Sequence, residues 1–173
     1  MNILTQLLEI IFLKRQPQDI DYDEFSAFFY VAMAIGVGYI INTISGAYSR
    51  PLQYSLVQNV MQAVALYGIL AINKKGNRFI QSCTTLFGVS AILQLVSLTS
   101  ILIPGLAIFS LFLAGWVFYL TIIILRESLE SSTLMAVFVA ISIGFVSVAA
   151  VIMIYPDFLT EFVAIYEQAQ KQQ

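Results

Sequence analysis

Histidine is absent from this 173-residue chain, cysteine occurs once, at Cys83, and Lys, Arg, Asp and Glu together make up only 10% of it. Each shortage excludes a class of function. A metal-dependent membrane enzyme needs a cluster of His, Cys or carboxylate ligands, and a chain with no His and one Cys cannot build the common ones. Ser and Thr are plentiful, but without a base to activate them none is a credible nucleophile, and Cys83 inside an apolar run reads as an inert small hydrophobe. A lone cysteine also rules out an intrachain disulfide. Proton relays, voltage sensors and most ion-coupled transporters place ionisable groups inside the membrane. The long apolar runs of this chain hold none. No catalytic residue and no cofactor are expected, and no basic tract suggests nucleic acid.

What the chain has instead is apolar residues, 60% of the total, with a mean hydropathy of +0.88. A soluble domain has about 45–50% apolar and about 25% charged residues. No charge falls between Pro51 and Asn73 or between Phe79 and Leu125. A hydrocarbon core about 30 Å thick needs roughly 20 apolar residues per helix. The pattern therefore predicts an all-α polytopic integral membrane protein, a bundle of five transmembrane helices with short amphipathic helices at its two ends. The spans are placed at about 25–45, 52–72, 79–103, 106–125 and 133–155, within a membrane domain of residues 25–156. Pro51, Pro104-Gly105 and Pro156 punctuate them, because the residue before proline disfavours helix. Pro104-Gly105 leaves so little chain between spans three and four that they form an antiparallel hairpin. The first apolar run ends at Lys14-Arg15 without a cleavage site, so no signal peptide is read there.

The eight basic residues are unevenly shared between alternate loops. Lys14, Arg15, Lys74, Lys75, Arg78 and Arg126 fall on one side, and only Arg50 and Lys171 on the other. Cytoplasmic loops carry the excess of Lys and Arg. These six residues are read as topology determinants and head-group contacts, with the amino terminus cytoplasmic and residues 157–173 a short extracytoplasmic tail, in a bacterial cytoplasmic membrane.

Residues 1–24 read as an amphipathic interfacial helix followed by an acidic linker. Ile3, Leu4, Leu7, Leu8, Ile10 and Ile11 form a broad apolar side, and Asn2, Thr5, Gln6 and Glu9 a polar one. Such a segment is expected to lie flat on the cytoplasmic leaflet, with packing against the bundle or a partner as the alternative. The carboxylates Asp19, Asp21, Asp23 and Glu24 suit the start of the first span as caps, a metal site being the other reading. At the far end, Phe158, Leu159, Phe162, Val163, Ile165 and Tyr166 have roughly helical spacing, which suggests a second interfacial helix.

The second span is the most polar. Gln53, Ser55, Gln58, Asn59 and Gln62 recur at helical spacing, and the third span offers Ser90, Gln94 and Ser97 in the same way. Three readings stand for Gln58, Asn59, Gln62, Ser90 and Gln94: amide hydrogen bonds joining spans two and three, a polar path or pocket for a lipid head group or small solute, or contact with a partner's helix. Ala32/Gly36, Ala34/Gly38 and Ala136/Ala140/Gly144 are small-xxx-small patterns, for close helix packing or for association between copies. Trp116 and Tyr119 read as packing or lipid-facing groups.

The five-span layout, the run Leu13-Lys14-Arg15-Gln16-Pro17-Gln18-Asp19, and Arg78-Phe79-Ile80-Gln81 followed by Thr84-Thr85-Leu86-Phe87-Gly88 resemble small bacterial membrane proteins of the Yip type, named for Ypt-interacting proteins. The resemblance implies a non-enzymatic membrane protein. Eukaryotic relatives bind small GTPases and influence membrane traffic and shape, but with about 24 residues ahead of its first span this chain is not expected to hold a GTPase. The functional expectation is a non-catalytic interaction or assembly component, in contact with membrane lipids and with either a membrane-protein partner or a second copy of itself. The alternative is a carrier or scramblase-like protein for lipids or a small neutral solute. A groove lined by Gln58, Gln62 and Gln94 would favour the carrier, and mutual burial of those amides the structural role.

Overall fold

A computed structural model of the chain describes residues 2–46, 48–103, 106–161 and 163, with side chains at all of these except 100–102 and 107. Its elements are α1 (Ile3–Ile11), α2 (Glu24–Ile44), α3 (Pro51–Ile72), α4 (Phe79–Leu102), α5 (Ala107–Leu129) and α6 (Thr133–Ile154). The protein is an all-α bundle, and α2 to α6 are the five helices long and apolar enough to cross a membrane.

Local chemistry sets the helix starts. The first backbone N–H groups of a helix have no partner within it, and a short polar side chain at the cap supplies one. The Asn2 side chain accepts from Leu4 N, Asp23 from Phe25 N and Ser26 N, and Ser132 from Met135 N. Asp23 thus performs the capping role expected of the acidic linker. Pro51 occupies the first position of α3, where its missing N–H costs nothing. The fourth span runs four residues beyond the expected end at 125, since α5 continues through Arg126 to Leu129 and closes on Glu130 in the left-handed conformation at φ 50°. Charge had marked the membrane boundary, not the helix boundary. The added turn is held because Ser128 and Leu129 are buried, and the Ser82 hydroxyl donates to Ser128 Oγ at 2.8 Å.

The five long helices close into a ring. α2 packs on α3, α3 on α6, α6 on α5, α5 on α4, and α4 back on α2. The expected hairpin of spans three and four is present as α4 beside α5, whereas the turn at 104–105 lies outside the described residues. Bulky side chains such as Phe25, Phe28, Ile108, Leu111, Phe145 and Met153 point outward and are exposed, which suits a ring surrounded by hydrocarbon. Inside, the apolar core is fullest toward one end, with Leu93 and Leu113 carrying it past the middle of α4 and α5. Tyr30, Leu66, Leu70, Phe87, Leu120, Ile124, Leu125 and Ala136 fill it, from the halves of the helices nearest the 73–78 and 130–132 loops. Six basic residues cluster at that same end, Lys75 and Arg78 both pairing with Glu130.

The amino-terminal helix departs from expectation. It packs on α4 instead of lying free on a leaflet, and the side chain of Gln6, expected to face water, is 1% exposed. Gln6 donates to an Asp21 carboxylate oxygen, and its own amide oxygen accepts from Asp21 N at 3.1 Å. That reciprocal pair satisfies the amide where periodicity alone would have turned it outward. Leu7 sits against Gly88 of α4, where a Cβ would come within 2.6 Å of the Leu7 side chain. Leu4 and Leu8, counted with the inserted face by periodicity, remain exposed on the opposite side, together with Phe12. The helix therefore has two apolar faces, one buried on the bundle and one free to meet lipid.

The small residues divide in the same way. Ala34 and Gly38 face α3 closely, since a Cβ on Gly38 would stand 2.5 Å from Ser55 Oγ, whereas Gly36 and Gly144 have open space. Of the expected tail helix, residues 157–161 are helical, and Phe162, Ile165 and Tyr166 lie outside the described residues.

Candidate functional site

Bordering the core, with Leu86 and Ile143 in its wall, lies a cavity of about 400 Å³ to which all five long helices contribute. Gly38 and Asn42 come from α2, Ser55, Gln58, Asn59 and Gln62 from α3, Ser90 and Gln94 from α4, Thr121 from α5, and Gly144 from α6. The five residues singled out in spans two and three therefore share one site. They do not pair with one another. Helix α3 packs chiefly on α2 and α6, and α4 chiefly on α2 and α5, so the two stripes face each other across the ring. The expectation of direct amide bonds between spans two and three is replaced by convergence on a common space. Helical spacing located each stripe but carried no information on whether the helices are neighbours. Gln53 is exposed and Ser97 lines a separate pocket, so neither belongs to the central site.

The wall and the interior of the site are chemically distinct. Ser55 donates to the Ile35 carbonyl at 2.8 Å, Asn59 Nδ2 to the Ser55 carbonyl at 2.8 Å, and Thr121 to the Val117 carbonyl at 2.9 Å. The Ser55 bond joins α3 to α2, and the other two tie Asn59 and Thr121 back onto their own helices. By contrast, the side chains of Asn42, Gln58, Gln62, Ser90 and Gln94 make no hydrogen bond among the described residues, and they border the open space. A glutamine amide offers two donors and two acceptor lone pairs. The site is rich in hydrogen-bonding capacity, and none of its lining residues is ionisable. Sequence reasoning missed Asn42, although an amide late in an otherwise apolar span is itself a signal.

An aromatic cluster stands at the end of the ring opposite the basic loops. Tyr48 stacks on Phe158 with centroids 5.3 Å apart and planes 3° from parallel, and Tyr54 meets both edge-on. Arg50 lies over Tyr155, 5.6 Å from the ring centroid. Glu161 accepts from the Tyr54 hydroxyl at 3.1 Å and from Ser49 N at 3.3 Å. Partial burial opposes ionisation of Glu161, but hydrogen bonds from Ser49 and Tyr54 and the charge of Arg50 outweigh it and hold its carboxyl below the ordinary value. Beneath the cluster a space of about 160 Å³ shares Asn42 and Gln58 with the central cavity. Between α4 and α5 a pocket of about 330 Å³ shares Gln94 and Val117 with it.

At the basic end, Lys14, Arg15 and Arg126 border a pocket of about 410 Å³. Lys75 and Arg78 are ion-paired with Glu130, and Lys74 is exposed. The six expected topology determinants thus stand at one end, in two arrangements: one lining a pocket, one closing a loop.

No protein-family model matches this chain, and neither the curated proteins nor the solved structures gave a match to it.

Proposed function

We propose that the protein is a non-catalytic membrane carrier that takes a small uncharged polar solute into its central cavity. The observation that carries this reading is that the side chains of Gln58, Gln62 and Gln94 face a shared space and have no hydrogen-bond partner among the described residues. Gln58 is exposed and Gln62 and Gln94 are half-buried, and within a membrane such amides need hydrogen-bonding partners that a bundle held by amide glue would have supplied from its own helices. A volume near 400 Å³ falls in the range of about 300–1,000 Å³ usual for small-molecule sites. The neutral lining favours a neutral solute over a phosphate-bearing head group, for which a positive charge would be expected. The spaces bordering Asn42 with Gln58, and Gln94 with Val117, supply one route under the aromatic cluster and one between α4 and α5.

The test is solute flux. Protein reconstituted in liposomes should raise the permeability to at least one of glycerol, urea or a short polyol, read by light scattering after an osmotic jump. Gly144→Leu should abolish that gain with the fold kept, because a side chain there enters open cavity space. Flux equal to that of empty liposomes for every probe would reject the carrier. A Yip-like assembly component, the other reading, would show no flux and no sensitivity to Gly144→Leu.

A further inference from the structure

The basic-end pocket shares no lining residue with the cavity and plays no part in the carrier reading. Its walls are Leu13 to Pro17, the segment following α1, together with Ile123, Arg126 and Glu127 of α5. The segment is turned into place by Leu13, which adopts φ 57° while Lys14 N donates to the Glu9 carbonyl at 2.7 Å. Leu13 stands just past the cap of α1, and the bond from Lys14 N back to Glu9 O closes the helix end in the way a left-handed residue at this position allows.

Three cations against one carboxylate leave the pocket net positive. Arg126 is partly committed, since its Nε and Nη2 both donate to Glu127. Arg15 Nη2 donates to the Asp19 carbonyl, and its Nη1 stands 3.6 Å from Glu9, but its Nε is buried with no hydrogen-bond partner. The Lys14 ammonium has no hydrogen-bond or ion-pair partner among the described residues. Lys14 is exposed and Arg15 half-buried at the rim of this open pocket, where a charged acceptor gains charge-assisted hydrogen bonds from both. The lower wall is apolar, formed by Leu13, Pro17 and Ile123, and the exposed α1 face of Leu4, Leu8 and Phe12 leads away from it.

From this arrangement we infer that Lys14, Arg15 and Arg126 hold the phosphate of an anionic phospholipid, with its acyl chains lying along the Leu4, Leu8 and Phe12 face of α1. Arginine and lysine together match a phosphodiester, the first through directed N–H bonds and the second as a point charge. The apolar strip distinguishes a lipid from a free phosphate, because only the lipid uses both halves of the site. The bound lipid would seal the seam between the amino-terminal segment and α5.

The test uses the full chain, purified in mild detergent, with phosphatidylglycerol, phosphatidylcholine and inorganic phosphate as separate probes and native mass spectrometry as the readout. Wild type should retain phosphatidylglycerol in preference to phosphatidylcholine. Each basic residue near an anionic head group is worth about a fivefold preference, so Lys14→Gln with Arg126→Gln should lose about twenty-five-fold in retention. Lys74→Gln, which removes a charge from the same end but outside the pocket, should lose nothing. Should the double variant fail to fold, Lys14→Gln alone, which breaks no contact, should still lose about fivefold. Equal retention of phosphatidylcholine, or an equal loss in Lys74→Gln, overturns the site. Displacement of phosphatidylglycerol by millimolar inorganic phosphate would assign the pocket to the free anion and overturn the lipid.

Discussion

Replacing Leu7 and Leu8 in turn by alanine separates the two geometries open to the amino-terminal helix. If the helix lay flat on a leaflet, both side chains would sit in lipid and both substitutions would cost the same. In the structure Leu7 is fully buried against Gly88, whereas Leu8 is 40% exposed on the other face. Each substitution removes the same carbons, so the transfer contribution, about 0.8 kcal/mol per methylene, largely cancels in the comparison. What survives is the packing lost around Leu7, since the bundle relaxes only partly into the space left behind. Buried Leu→Ala changes cost about 2.7–5 kcal/mol in total, and subtracting about 2.4 kcal/mol for the three carbons removed leaves roughly 0.3–2.6 kcal/mol. Leu7→Ala should therefore destabilise the protein by that much more than Leu8→Ala, measured by reversible denaturant unfolding in mixed micelles. A cycle with Gly88→Ala adds a second check. The new Cβ would strike Leu7 at 2.6 Å, so Gly88→Ala should destabilise wild type and be partly tolerated in the Leu7→Ala background. Equal costs for Leu7 and Leu8, or strict additivity with Gly88, would refute the docking of α1 on α4.

Two further outcomes are expected. The Glu130 carboxyl is held below its ordinary value of 4.5 by the hydrogen bond from Lys75, then by that from Arg78 and the charges of both. Its folded value being the lower one, its contribution is present above pH 4.5 and is lost as pH falls through the folded value. The melting-temperature gap between wild type and Glu130→Gln should therefore be open at pH 7 and close below pH 4.5; a gap independent of pH would show that Glu130 does not act through its charge. With the basic residues gathered at one end, a reporter active only outside the cytoplasm should be silent when fused at Gly76 and active at Gly46, and the reverse pattern would overturn the cytoplasmic assignment of that end.

Much of the architecture was legible in the chain because the bilayer imposes a one-dimensional rule. A span needs about 20 residues without charge, and proline marks its ends, so the starts of all five helices were placed within a residue or so. The segregation of Lys14, Arg15, Lys74, Lys75, Arg78 and Arg126 to one end was equally readable, being a property of loop order. Arg126 shows the limit of that rule, since α5 carries it inside a helix that continues for another turn.

What only the tertiary structure decided is which faces meet. Helical periodicity put Gln58 and Gln62 on one stripe and Ser90 and Gln94 on another, but the same stripes could bond to each other or line a void. The order of helices around the ring selects the void, by seating α3 and α4 on either side of it with α2 packed against both. Gln6 is the converse case: an amide that periodicity assigns to water is buried, because Asp21, fifteen residues away, supplies both an acceptor and a donor. In lipid there is no solvent contrast to distinguish an apolar face bound for protein from one bound for hydrocarbon, so Leu7 and Leu8 look alike in the sequence. Only close packing on Gly88, a three-dimensional fit, separates them.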